Sequence, residues 1–132
     1  MQQRSLGPFS VGAIGLGCMN ICHAYGPPVA AEQAERLLLA ALDAGVTHFD
    51  TAALYGFGAS ETTVGRVLGK HRSRFTLASK CGMQGVDAAG NGQLVRVIDG
   101  RPATLRATCE AALQRLQTDV IDLYYLHRWD KQ

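Results

Sequence analysis

Residues 30–50 read AAEQAERLLLAALDAGVTHFD, and two different periods meet within them. Ala34, Leu37, Leu38, Ala41 and Leu42 recur at helical spacing, so one face of residues 30–45 is apolar. Gly45 follows where a helix end favours a residue that tolerates left-handed backbone. VTHFD (46–50) then has the length and the β-branched and aromatic content of a strand. A helix that runs through one glycine into a buried-looking strand is half of a βαβ unit.

The alternation extends in both directions. VGAIGLG (11–17) reads as a strand ending in a tight loop. Ser60 offers an N-cap for a helix over ETTVGRVLGKH (61–71), with Val64, Val67 and Leu68 as its apolar face. RFTLASK (74–80) is the next strand. CGMQGVDAAGNGQLVRVIDG (81–100) is too irregular for one strand or helix; Gly90-Asn91-Gly92 is turn chemistry, and LVRVI is a brief extended piece. Pro102 suits the first position of a helix. ATLRATCEAALQRLQ (103–117) supplies that helix, with Leu105, Cys109, Ala112, Leu113 and Leu116 on one side. DVIDLYYLH (119–127) closes the series as an apolar strand. The order β-α-β-α-β-α-β predicts an α/β fold with a parallel sheet, in a single domain over residues 1–132.

Composition narrows the function classes. The chain has 132 residues, 47% hydrophobic and 18% charged, which places it among globular rather than disordered sequences. Its formal charge is +2, and no stripe of basic residues interleaved with aromatics points to nucleic acid. No apolar run approaches the ~20 residues of a membrane span. MQQRSLGPFS lacks the apolar core of a signal peptide, so a cytoplasmic location is expected. In that setting Cys18, Cys22, Cys81 and Cys109 are expected as free thiols. Cys18-x-x-x-Cys22-His23 is one residue too long for haem attachment. A Cys18/Cys81/His23 metal site is the sharper alternative to free thiols, and no metal is expected.

The strand ends carry the chemistry. The first strand ends in Gly17-Cys18-Met19-Asn20, the second in Asp50, the third in Lys80 and the fourth in His127. Tyr55 lies just past the second. Parallel α/β folds bind ligands at this carboxyl edge. Alternation puts His48 with Asp50, Thr76 and Ala78 with Lys80, and Leu123 and Tyr125 with His127 on one face. Thr47, Phe49, Leu77, Tyr124 and Leu126 fall on the helix-covered face, as does Asp122, expected in a structural hydrogen bond. Each polar residue alone has an ordinary reading as turn, solvated or packing residue. Together they form a general-acid set. A free phenol, with a pKa of about 10, is a poor acid at neutral pH. A neighbouring ammonium favours the phenolate, a carboxylate fixes the ammonium, and an imidazole donates to a substrate oxygen. No residue in the set can release a hydride, so a reduction needs a cofactor.

These stretches resemble the aldo-keto reductases, (β/α)8 barrels that use NADPH. The resemblance rests on GLGCMN (15–20), GVTHFDTAALYGFGASE (45–61), GRVLG (65–69), LASKCG (77–82) and DVIDLYYLHRWD (119–130). It implies reduction of aldehydes or ketones, with the family tetrad falling on Asp50, Tyr55, Lys80 and His127. Tyr55 is then the general acid, Lys80 its cation, Asp50 the partner of Lys80 near the nicotinamide ribose, and His127 the group that orients the carbonyl. Cys18, Met19 and Asn20 would lie at the nicotinamide end of NADPH. Tyr25 and Trp129 fall on rim loops, where they either line a substrate pocket or simply pack.

The resemblance covers only the first half of such a barrel, whose full form needs ~250 residues. The expectation is therefore a truncated domain of about four parallel strands, with open edges prone to self-association. Sedimentation of the purified chain tests that expectation. Three functions stay open at this level: a carbonyl reductase, an inactive remnant, and a non-catalytic NADP-binding regulatory barrel.

Overall fold

Sheet order follows chain order. An antiparallel hairpin of β1 (Gln3–Leu6) and β2 (Phe9–Gly12) comes first, then β3 (Leu16–Gly17), α1 (Ala31–Asp43) and β4 (His48–Asp50). The chain continues through α2 (Ala59–Leu68), β5 (Thr76–Cys81), a second hairpin of β6 (Met83–Val86) and β7 (Val95–Ile98), α3 (Pro102–Leu116) and β8 (Leu123–Leu126). Strands β3, β4, β5 and β8 form one four-stranded parallel sheet in that spatial order. Consecutive parallel strands linked by helices are the arrangement of a (β/α)8 barrel, as the sequence reading expected, and the chain forms part of one. This computed structural model describes residues 1–22 and 26–132.

The helices bury one stripe each against one face of the sheet. Ala34, Leu38 and Leu42 of α1, Val64, Val67 and Leu68 of α2, and Ala112 and Leu116 of α3 close over Phe49 and Leu77. Phe49 meets Phe75 edge to face, with centroids 5.2 Å apart. Phe49 and Leu77 thus point to the helices, and alternation sends His48, Asp50, Ala78 and Lys80 to the other face. Asp122 takes its expected structural role. Its carboxylate accepts from Arg72 Nη2 (2.6 Å) and from the Leu77 amide (2.7 Å). Gly45, at φ +90°, ends α1 as expected, and Pro102 opens α3. No helix among the described residues is long and apolar enough to cross a membrane.

Several expectations shift. The stretch 11–17 is not one strand: Val11 and Gly12 belong to the β1–β2 hairpin, and only Leu16 and Gly17 join the parallel sheet. That hairpin gave no pattern because three of the four β1 residues are exposed, which leaves no apolar alternation. It is pinned below β4 by the Gly12 amide donating to Thr47 Oγ1 at 2.7 Å. Residues 83–98 pair into a hairpin whose tip is held by Asp87, which accepts from the Asn91 and Gly92 amides. Ser60 is not an N-cap. The chain leaves Tyr55 through Gly56, Phe57 and Gly58, all at positive φ, so α2 begins at Ala59 and Ser60 is buried within its first turn. Leu37, expected on the apolar face, is 46% exposed.

The closest helix contact depends on one missing side chain. A Cβ at Gly65 would lie 2.3 Å from the Arg115 carbonyl oxygen and 2.6 Å from the Leu116 carbonyl carbon. Gly65→Ala must therefore force α2 away from α3. It is expected to cost about 1–3 kcal/mol, as overpacking does, and to lower the urea midpoint; an unchanged midpoint contradicts this packing.

Candidate active site

Asp50 ends β4, Lys80 is next to last in β5, His127 follows β8, and Tyr55 opens the turn beyond β4. The parallel sheet brings all four to its carboxyl-terminal rim. Lys80 sits at the centre. Its Nζ donates to Asp50 Oδ1 (2.5 Å), to the Thr51 carbonyl (2.8 Å) and to the Tyr55 hydroxyl (3.2 Å). An ammonium has three N–H donors, and each has a separate acceptor here. The side chain is thus fixed as well as paired.

The direction of these bonds matters. The Tyr55 hydroxyl accepts from Lys80 and makes no other hydrogen bond among the described residues, so its own proton is available to a ligand. Asp50 uses Oδ1 on Lys80, and the described residues give Oδ2 no partner; its side chain is 31% exposed. His127 stands edge to face against Tyr55, with ring centroids 5.7 Å apart. Its amide donates to the Cys81 carbonyl, which fixes the backbone, whereas its buried Nδ1 has no partner among the described residues. Burial first, and the Lys80 ammonium second, hold the imidazole below its ordinary pKa of 6.5, against a weaker upward pull from Asp50. His127 is therefore neutral at pH 7.

The loop after β3 meets the same rim. The Cys18 amide donates to the Asp50 carbonyl at 2.8 Å, and Met19–Ile21 form a 3-10 turn with Asn20 exposed. The Cys18 thiol is buried and pushed up to about 12, by burial first and then by the Asp50 carboxylate, so it stays protonated. Trp129 is 63% exposed, and the four residues are not brought against it by any ring contact. Tyr25 and His23 lie outside the described residues. Among the described residues no cluster of His, Cys, Asp and Glu is placed to hold a metal.

Sequence reasoning missed the layer behind this rim. Thr51, Ser60, Glu61 and Ser79 are fully buried polar residues, joined by hydrogen bonds of 2.6–3.0 Å that also reach Cys18 and Arg115. A signal existed in the spacing. Glu61 precedes Val64 by three and Leu68 by seven, which places an acid on the apolar stripe of α2. A carboxylate there requires a buried partner.

With the geometry established, comparison with known proteins assigns the lineage. The model described as the aldo/keto reductase family matches residues 13–132.

The chain belongs to the aldo-keto reductase family.

A probable aldo-keto reductase of Glycine max is 37% identical over 123 residues, which is 92% of this chain and 34% of that protein. An NADP(+) aldo-keto reductase of Schizosaccharomyces pombe is 36% identical over 129 residues, 96% of this chain and 36% of that protein. The chain thus spans about a third of the length of these curated relatives. Among solved structures, the holo form of a Bacillus halodurans aldo-keto reductase superposes with a TM-score of 0.80 at 33% identity, covering 96% of this chain and 40% of that one. A Klebsiella pneumoniae aldo-keto reductase in complex with NADP and acetate gives 0.65 at 36% identity, covering 92% and 37%.

The electrostatics of this aldo-keto reductase rim give a titration prediction. Protonation of His127 is disfavoured in the folded state relative to the unfolded chain. Its contribution to stability is thus present above about pH 6.5 and lost as pH falls below that. Proton NMR is expected to place its midpoint below 6.5, and Lys80→Met, which leaves Asp50 uncompensated, to raise it. A midpoint above 6.5 in the parent chain would show that Asp50 outweighs burial.

Proposed function

We propose that this rim is the proton-donating site of a carbonyl reductase that uses NADPH and converts aldehydes or ketones to alcohols. The observation that carries the reading is the threefold engagement of Lys80. One ammonium is pinned by Asp50 and the Thr51 carbonyl, and its remaining donor is spent on the phenol. A lysine serving only a structural ion pair has no need of that third contact.

The donor set also fits a nicotinamide cofactor. It contains a proton donor with a supporting cation but no hydride source. It leaves Asp50 Oδ2 without a partner among the described residues and Asn20 exposed at the same rim. The Cys18 amide and carbonyl are already bonded to Asp50 and Ser60, so that residue shapes the loop. Asp50 and the Met19–Asn20 turn would hold the nicotinamide end. When bound, NADPH supplies the hydride for the carbonyl carbon. The relatives solved with NADP or NADPH, and the NADP(+) enzyme of S. pombe, support that choice.

The roles of the chain's own residues follow from bond direction. Tyr55 donates its hydroxyl proton to the carbonyl oxygen as negative charge develops there. The Lys80 ammonium, 3.2 Å from the phenol oxygen, stabilises the phenolate left behind. Asp50 keeps the ammonium in place. His127, neutral and perpendicular to the Tyr55 ring, provides an N–H to orient the same carbonyl oxygen.

Fluorescence titration with NADPH, followed by turnover of an aromatic aldehyde, tests the proposal. Binding and turnover are expected. Tyr55→Phe should retain binding and lose turnover by about 100-fold or more, the scale of a general acid. Full turnover in that variant overturns the acid role. Binding without turnover in the parent chain points to a regulatory barrel instead, and no binding to an inactive remnant.

A further inference from the structure

The Lys80–Tyr55 contact bridges a strand and a loop that are separate in sequence. Lys80 sits on β5, and Tyr55 sits in the turn between β4 and α2. Something must hold those two elements at a fixed separation. The first turn of α2 is placed to do so. Ser60 Oγ accepts from Thr51 Oγ1 at 2.9 Å and donates to the Cys18 carbonyl at 3.0 Å. It therefore ties α2 to the residue whose carbonyl holds Lys80, and to the loop beyond β3. Glu61 Oε1 accepts from Ser79 Oγ at 2.6 Å, on the strand position adjacent to Lys80 and on the opposite face. Glu61 Oε2 accepts from Arg115 Nε at 2.7 Å and forms an ion pair with Nη2 at the same distance.

Arg115 completes the arrangement. A Cβ at Gly58 would lie 2.9 Å from Arg115 Cδ and Nε, so the arginine covers the left-handed glycine that ends the Tyr55 turn. Ser60 and Glu61 are both fully buried. Two consecutive side chains thus connect the β3 loop, the residue after Asp50, the Tyr55 turn, β5 and α3. Neither reaches the open rim, so neither touches substrate.

We infer that Ser60 and Glu61 are positioning residues that set the distance between Lys80 and Tyr55. The inference rests on the reading of Tyr55 as an acid and Lys80 as its cation. It goes beyond that reading in assigning the geometry of the pair to a buried network on the opposite side of the sheet. A misplacement near 1 Å, made at a distance from the chemistry, lowers turnover by up to about 100-fold without removing any reacting group.

The test needs a signal that ordinary destabilisation does not move. The chain has three lysines, Lys70, Lys80 and Lys131, and Lys70 and Lys131 are exposed. With lysine labelled at the ε-carbon, the Lys80 resonance is expected to stand apart from the other two, its assignment given by its loss in Lys80→Met. Ser60→Ala and Glu61→Gln should shift it toward the exposed pair. They should also lower kcat for an aromatic aldehyde about tenfold with KM held within about twofold, the pattern of a loss confined to the transition state. Ser79→Ala, which removes one hydroxyl, provides a milder probe should Glu61→Gln not fold. Asp122→Asn breaks a part-buried pair near the amino-terminal end of the sheet. It should lower the melting temperature yet leave the Lys80 resonance and kcat unchanged. An unmoved Lys80 signal in folded Ser60→Ala and Ser79→Ala overturns the inference, as does an equal shift in Asp122→Asn. A parent chain without turnover, whose Lys80 signal still responds, overturns the reductase reading and supports the positioning role.

Discussion

The site depends on one ammonium group shared among three oxygens. Lys80 Nζ lies between a carboxylate, a main-chain carbonyl and a phenol, contributed by the end of β4, the residue after it, and the turn beyond. A lysine this far removed from water is costly unless its donors are matched, and here each one is. The same arrangement orients Tyr55. Because the phenol oxygen already accepts from Lys80, its proton points elsewhere.

The remainder of the described structure keeps those oxygens in place. Parallel pairing in register brings Asp50 alongside Ala78 and Lys80 alongside Tyr125, so the charged residues rise together at one edge. The helices bury only the other face. The left-handed run Gly56–Gly58 turns the chain sharply enough to set α2 behind the rim, and Gly65 lets α2 approach the α3 backbone. The first turn of α2 thereby reaches β5 from behind. Helix packing and the rim thus meet in the same few residues.

Much of this was legible in the amino-acid order, for specific reasons. The β/α alternation shows because each helix carries an apolar stripe and each strand an apolar run. The rim residues show because alternation separates Phe49 and Leu77 from Asp50 and Lys80. The resemblance to aldo-keto reductases then supplied the roles proposed for them. Neither hairpin was read as a pair, although LVRVI was read as extended, because β1 and β7 are short and mostly exposed, so burial wrote no alternation into them. Ser60 was misread as a cap because a serine before a helical run carries the same local signature, whether its hydroxyl meets the helix or a distant carbonyl. Glu61 and Arg115 pair across 54 residues, and no local period encodes such a contact.

The central claim is that Asp50, Lys80 and Tyr55 act as one unit rather than as three separate contributors. A double-mutant cycle on kcat/KM for an aromatic aldehyde, with NADPH saturating for every variant, measures this directly, using Asp50→Asn, Tyr55→Phe and the pair. The account predicts that the double variant is no slower than Tyr55→Phe alone, because an ion pair that supports a phenolate has nothing to support once the phenol is gone. Losses that simply multiply would show that Asp50 and Tyr55 work independently and would contradict it.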